Sequence, residues 1–178
     1  MKLVRGKCQG LKTKESSVAR DWVASPLGAI NFEANKHGLV RIGWGEVLRK
    51  NPEDPTIVTT RKWISNYFEG INNNLPIFDE RELTNFQRNV LTFLRDKTRI
   101  GETITYADLA TAAGHPNASR AVGSVMAMNP WPILVPCHRV VRGDGIIGNY
   151  SGHGGTETKT RLLIHEGNQF DENGKLVY

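Results

Sequence analysis

The chain has 178 residues, 39% hydrophobic and 23% charged, with a net charge of +5. Those proportions describe a soluble globular protein with one good-sized core or two small ones. They exclude a membrane-spanning helix, because no apolar run approaches the ~20 residues one requires, and two cysteines cannot build a disulfide framework.

Residues 1–45 read as strands. The run Leu27-Gly28-Ala29-Ile30-Asn31-Phe32-Glu33-Ala34 alternates roughly apolar and polar. After the turn Asn35-Lys36-His37-Gly38 comes Leu39-Val40-Arg41-Ile42-Gly43-Trp44, which predicts a hairpin. Residues 58–69 read as a helix with Trp63, Tyr67 and Phe68 as its apolar stripe. Residues 70–83 read as a loop and hold the expected boundary between two units, 1–78 and 79–178. Thr84-Asn85-Phe86-Gln87 is a capping box, followed by Phe86, Val90, Phe93, Leu94 and Lys97 at helical spacing. Thr105-Tyr106-Ala107-Asp108 repeats the capping pattern and starts a short helix, which Gly114-His115-Pro116-Asn117 breaks. Asn117 is expected to cap a further helix over 118–128 that turns Ala121, Val122, Val125 and Met126 inward. Two short helices joined by a glycine-containing turn are a helix-turn-helix pattern, although an ordinary packed pair gives the same pattern. Asn129-Pro130-Trp131-Pro132 stops the helix, Ile133-Leu134-Val135 reads as a buried extended run, and a last helix covers 157–165 before Gly167.

The chemistry concentrates at Pro136-Cys137-His138-Arg139-Val140. A thiol is mostly protonated at neutral pH, so a nucleophilic cysteine needs a base or a positive environment. His138, Arg139 and Arg142 are candidates for both. The bland alternative is a buried structural cysteine, which is how Cys8 reads; His37, His115 and His153 read as surface or turn residues. From Leu109 to Gly143 there is no Asp or Glu, while Arg120, Arg139 and Arg142 occur there, as a surface facing phosphates requires. No CxxC or HxxxH spacing exists, so no metal site is expected. Cysteine usage and the lack of a secretory leader at Met1-Lys2-Leu3-Val4-Arg5 point to an intracellular location, cytoplasmic in a prokaryote or nuclear in a eukaryote.

Several separate motifs occur in one order: Ile104-Thr105-Tyr106, Ser119-Arg120-Ala121-Val122-Gly123, Asn129-Pro130, Pro136-Cys137-His138-Arg139-Val140-Val141, Gly148-Asn149-Tyr150-Ser151-Gly152 and His165-Glu166-Gly167. Together they resemble the O6-alkylguanine-DNA alkyltransferases over about residues 86–167, and Ser25-Pro26-Leu27-Gly28 resembles the family's smaller domain. The resemblance implies an α+β fold. Its N-terminal domain would be a ribonuclease-H-like α/β unit, and its C-terminal domain mainly helical and winged-helix-like, with a DNA-binding helix-turn-helix. It implies irreversible, single-turnover transfer of a methyl or other alkyl group from O6-alkylguanine, less efficiently O4-alkylthymine, to Cys137. The partner would be double-stranded DNA, bound by a monomer with possible cooperativity, and no cofactor would be needed.

The same resemblance assigns roles. Glu166 would orient His138, which activates Cys137 through a water, and Tyr106 and Ser151 would donate hydrogen bonds to the departing guanine. The carbonyls of Cys137 and Val140 would accept from its exocyclic amine, Asn129 would brace the recognition helix, and Trp131, Pro132 and Tyr150 would border the substrate, with packing against the core as the alternative for Trp131. Arg120 would enter the stack as the base is flipped through the minor groove, with Ala118, Ala121, Gly123, Ser124 and Arg142 along the DNA. Three departures stand out: Trp131 occupies the place of a smaller residue, residues 152–157 run about two longer, and Ala127 replaces a basic residue. Relatives that only bind lesions carry tryptophan in place of the nucleophile, which Cys137 argues against. The competing readings are a non-catalytic helix-turn-helix DNA-binding or lesion-sensing protein and an unrelated thiol hydrolase.

Overall fold

The computed structural model describes residues 18–71 and 73–177, so the reading of Cys8 lies outside the described residues. The first half is an antiparallel sheet with strand order β1 (Ala19–Ser25), β2 (Gly28–Asn35), β3 (Gly38–Trp44), followed by helix α1 (Pro55–Phe68). The expected hairpin is present, with Asn31 opposite Gly43 and Phe32 opposite Ile42. β2 does not alternate between core and solvent as its sequence suggests: from Ile30 to Ala34 every residue is buried. Glu33 is tolerated there because Arg20 and Arg41 each pair with it at 2.7 Å. α1 begins three residues earlier than its apolar stripe suggests. Asp54 caps it, accepting from the amides of Thr56 and Ile57, and Pro55 occupies the first turn, where its missing N–H costs nothing. Its buried face is Ile57, Thr60, Ile64 and Tyr67, while Trp63 and Phe68 are half-buried at its margin.

The second half holds α2 (Asn85–Lys97), β4 (Ile104–Thr105), α3 (Tyr106–Ala112), α4 (Ser119–Ala127), β5 (Val140–Val141), α5 (Gly155–His165) and a short hairpin of β6 (Gln169–Phe170) and β7 (Leu176–Val177). The capping box of Thr84 and Gln87 forms with both its bonds, and Thr105 caps α3 by accepting from Asp108 N. α2 buries Val90, Leu91 and Leu94, and Lys97 points to solvent. Asn117 does not cap α4. It takes a left-handed turn conformation at φ 69, the N-cap is Ala118, and no side chain caps this helix. Val122, Val125 and Met126 face inward as expected, but Ala121 is exposed. The result is a mixed α+β fold with a sheet-and-helix N-terminal region and a helical C-terminal region. One apolar core joins them, running from Phe32 and Ile64 to Leu94, Val122 and Leu162.

The joint between the halves positions the site. β3 offers one free edge, and the segment after residue 76 crosses it: Leu39 N donates to Ile77 O at 2.7 Å and Asp79 N to Leu39 O at 2.9 Å. Gly38 is required at this crossing, since a Cβ there would stand 2.5 Å from Ile77 O. Further along the same edge, Ile42 N donates to Pro130 O at 2.8 Å, which fixes the loop leading to Cys137.

Candidate active site

The loop from Asn129 to Pro136 is a tight turn rather than the extended run its sequence suggests. Ile133 sits at φ 75, a left-handed conformation unfavourable for a β-branched residue. Buried packing and hydrogen bonds hold it there. Asn129 donates from Nδ2 to Val135 O at 2.8 Å and accepts from Trp131 N at 3.0 Å, so its amide ties the end of α4 to this loop. Trp131 is not in the wall of the cysteine's cavity. Its ring is buried against Phe78 at 4.8 Å, and its indole N–H donates to Leu39 O at 2.9 Å. Its size fills the joint with the sheet, which removes it from the substrate-contacting group.

Cys137, His138 and Arg139 form one buried 3-10 turn. β5 follows directly and pairs in parallel with β4, Ile104 opposite Val140, which brings Tyr106 beside the cysteine. Glu166 closes the arrangement. It ends α5, where the helix dipole disfavours a carboxylate, and it is repaid by three partners. His138 Nε2 lies 2.9 Å from Oε1, Arg139 forks onto both oxygens at 2.8 Å, and the Tyr67 hydroxyl donates to Oε1 at 2.8 Å. Arg139 also donates to Thr98 O at 2.6 Å. Arg139 therefore supplies no charge to the thiol, and neither does Arg142, which is exposed and paired with Asp144 at 2.7 Å.

Protonation follows from burial. Loss of hydration pushes the Cys137 thiol up, against weaker lowering by the Asn129 amide and the Lys159 charge. Burial likewise pushes His138 down, although Glu166 pulls the other way. Glu166 is held far below the carboxylate range: burial would raise it, but its bonds to His138 and Arg139 outweigh that. The resting pair is thus a neutral thiol and a neutral imidazole. With Nε2 directed at Glu166, the imidazole leaves Nδ1, which has no protein partner, as the basic nitrogen.

Cys137 opens onto a cavity of about 400 Å³ that also meets Tyr106, Gly123, Arg142, Tyr150 and Ser151. Gly148 lies against the Tyr106 hydroxyl, where a Cβ would make an ordinary contact at 3.6 Å; it is the φ of 72 that calls for glycine there. The Ser151 hydroxyl donates to Met126 O at 3.3 Å, linking the loop to α4. Pro132 and Asn129 border a smaller adjoining hollow. Arg120, Ala121 and Ser124 are exposed on α4, and Ala118 is half-buried at its start. The carbonyl of Cys137 accepts from Val140 N and that of Val140 from Lys159 Nζ at 2.6 Å, leaving each a second lone pair. A larger hollow, about 520 Å³, lies behind the turn against Arg139 and Tyr67 and does not meet the sulfur.

Sequence reasoning missed the roles of three residues here. Tyr67 reaches Glu166 across 99 positions, and no local signal announces that contact. Arg139 was visible in the motif, but its pairing was not. Lys159 had a readable signal: it falls with Leu162 and Leu163 on the buried face of α5, where a lysine is out of place. Its ammonium is fully buried, and burial lowers its pKa to about 8.

A sulfur next in the chain to a neutral base, opening onto a cavity beside an exposed helix, is equipped for nucleophilic attack on a carbon centre. That defines a cysteine-dependent transferase. A profile of the family described as "6-O-methylguanine DNA methyltransferase, DNA binding domain" matches residues 85–168. The mouse methylated-DNA–protein-cysteine methyltransferase is 39% identical over 169 residues, covering 80% of this chain and 78% of that protein. The human one is 36% identical over 183 residues, covering 90% and 86%. A crystal structure of Mycobacterium tuberculosis OGT in complex with DNA superimposes with a TM-score of 0.68 at 28% identity, covering 83% of this chain and 92% of that one. The chain belongs to the methylated-DNA–protein-cysteine methyltransferase family.

Proposed function

We propose that this chain repairs O6-alkylguanine in DNA by direct reversal, taking the alkyl group onto Cys137 once and irreversibly. The observation that carries this reading is the buried Cys137 opening onto its own cavity, followed in the chain by His138, whose Nδ1 is unpartnered and whose ring Glu166 fixes. The thiol proton passes to His138, through a bridging water. The sulfur attacks the alkyl carbon, the S–C bond forms as the C–O6 bond breaks, and the electron pair leaves with guanine, which ends protonated. Tyr106, and Ser151 once its hydroxyl turns from Met126 O, both on the cavity wall, meet the charge developing on the base. The thioether has no proton to return and is a poor leaving group, so each chain acts once. The base must leave the stack to reach a sulfur this deep. The exposed Arg120 on α4 supports insertion into the space it vacates, with α4 laid in the minor groove.

The test is incubation with duplex oligonucleotide carrying O6-methylguanine, followed by intact-mass and peptide analysis. One methyl per chain, on Cys137, is expected, and none on Cys137→Ser. A mass unchanged by exposure, as a protein that only senses lesions would give, rejects the reading; so does turnover beyond one lesion per chain.

A further inference from the structure

Three donors converge on one oxygen of Glu166. His138 Nε2 at 2.9 Å, Arg139 Nη2 at 2.8 Å and the Tyr67 hydroxyl at 2.8 Å all meet Oε1, while Oε2 receives Arg139 Nε. A carboxylate oxygen offers about two lone-pair sites, so three donors share what two would fill. Whatever charge Oε1 yields to Tyr67 and Arg139 is not returned to His138. Tyr67 is the donor from outside the motif: it lies 99 positions from Glu166, on the last turn of α1, and no step of the transfer described above uses it.

That hydroxyl is firmly placed. The ring is buried, stacks on Trp63 at 5.3 Å and meets Phe68 edge-on at 5.0 Å. The Tyr67 carbonyl accepts from His165 Nε2 at 3.1 Å, so one residue of α1 holds two successive residues at the end of α5. Burial and the Glu166 charge push the phenol far above its ordinary range, so the hydroxyl stays protonated and donates to the carboxylate. The other titratable and charged groups around Glu166 and His138 are Cys137 and Arg139 from the same turn, Lys159 and His165 from α5, and Tyr150 from the loop before it. Arg95 and Arg99 border the hollow that Tyr67 also lines. Among the described residues, Tyr67 and Arg139 alone share with His138 the oxygen Oε1.

We propose that Tyr67 is a positioning residue for the transfer, which acts through Glu166 to keep His138 uncharged in the resting chain. The proposal rests on Cys137 being the alkyl acceptor and His138 its base. The positive end of the Tyr67 O–H dipole faces the pair of His138 and Glu166. It stabilises the carboxylate and disfavours a second proton on the imidazole, so Nδ1 stays open to the thiol's proton down to lower pH. Tyr67 gives up no proton itself; the one that His138 receives comes from the sulfur of Cys137. Removing the hydroxyl frees Oε1 for His138, which then holds a proton more firmly and loses its basic nitrogen at a higher pH. A stronger donor at the same place does the reverse.

Single-turnover transfer of methyl to Cys137 from duplex O6-methylguanine tests this. The full chain is mixed rapidly from neutral buffer into buffers of falling pH, so that the rate is read before acid unfolding. Three proteins are compared: the wild type, Tyr67→Phe, and Tyr67→3-fluorotyrosine, whose more acidic phenol donates more strongly in almost the same volume. All three also carry His165→Gln, which removes the exposed imidazole beside Tyr67 from the titration. Tyr67→Phe should move the acid limb of the rate up by about half a pH unit, a part of the one to two units that a hydrogen bond to a charged group is worth. Tyr67→3-fluorotyrosine should move it down by a smaller step. A prop with no electrostatic role would lower the rate at every pH and leave the limb in place. That result overturns the proposal, as does a limb that moves down in Tyr67→Phe or the same way in both variants. The fluorinated chain keeps the hydroxyl and its packing, so an unmoved limb there overturns the proposal even where Tyr67→Phe fails to fold. Each of these outcomes leaves the repair reading intact, whereas absence of methyl on Cys137 in the wild type would overturn both.

Discussion

Lys159 allows a quantitative test of how the site is built. Its ammonium is fully buried, donates to Val140 O at 2.6 Å and, among the described residues, pairs with no carboxylate. Burial lowers its pKa from 10.5 to about 8. The gap between those values corresponds to roughly 3 kcal/mol, the cost of keeping this charge in the folded state. The sign follows from which state holds the proton. Below pH 8 both states are protonated and the folded chain bears the whole cost. Between about 8 and 10.5 the folded chain releases the proton while the unfolded chain keeps it, so stability rises with pH; above that range the cost is gone. Lys159→Met keeps the length of the side chain and removes the titration. Urea unfolding of both proteins from pH 7.5 to pH 10.5 should show the wild type gaining roughly 3 kcal/mol relative to the variant. Titrating groups that do not feel the Lys159 charge cancel in that difference, and the thiol of Cys137, which does, is removed from both proteins by Cys137→Ser. A difference that stays constant across the range would refute the assignment of a strained, charged lysine beside Cys137.

Three further outcomes follow from the same geometry. Glu166→Gln should destabilise the chain by about 3–5 kcal/mol, because it leaves the buried Arg139 guanidinium without its counter-charge; urea unfolding that shows a loss under about 1 kcal/mol would mean that Glu166 is not the anchor of the turn. Because burial holds His138 below its ordinary value, acidification should begin to slow transfer to Cys137 only below the pH at which an ordinary histidine takes up its proton. A rate that falls with a midpoint near 6.5, the ordinary value for histidine, would remove that argument. Arg120 is exposed on α4, so Arg120→Ala should leave unfolding within about 0.5 kcal/mol of wild type while repair of duplex DNA falls far more than reaction with free O6-benzylguanine. Equal losses on the two substrates would end its role in flipping the base.

What could be read from the sequence divides along a physical line. Features set by neighbouring residues were legible: the hairpin turn at Asn35-Lys36-His37-Gly38, the capping box at Thr84 and Gln87, the cap at Thr105, and the clustering of Cys137 with His138. Features set by burial across the fold were not. Ile133 takes a left-handed conformation that its side chain resists, and only the packed loop around it explains this. Asn117 has the chemistry of a helix cap but is spent on the turn before α4. The place of Trp131 in the motif allowed a pocket residue or a core residue, and Leu39 O and Phe78, both more than fifty positions away, draw it into the joint. The fold class was open to sequence reasoning because it depends on many local patterns that agree. The electrostatics of the site depend on single long-range contacts, and Tyr67 with Glu166 is one that no local pattern marks.

Those contacts change the chemistry that the motif alone suggests. A cysteine beside a histidine and two arginines invites the picture of a standing thiolate in a positive pocket. Here the positive charge of Arg139 is consumed by Glu166, Arg142 is engaged with Asp144 at the surface, and burial holds both Cys137 and His138 in their neutral forms. A standing thiolate in a cell would react with any small electrophile and spend the protein without a repair. A buried thiol with a neutral base at hand forms its nucleophile only as the attack proceeds, when an alkylated base fills the cavity and its donors are in place to receive the leaving charge. For a protein that acts once, restraint in the resting state is as much a functional requirement as reactivity, and the neutral pair supplies it.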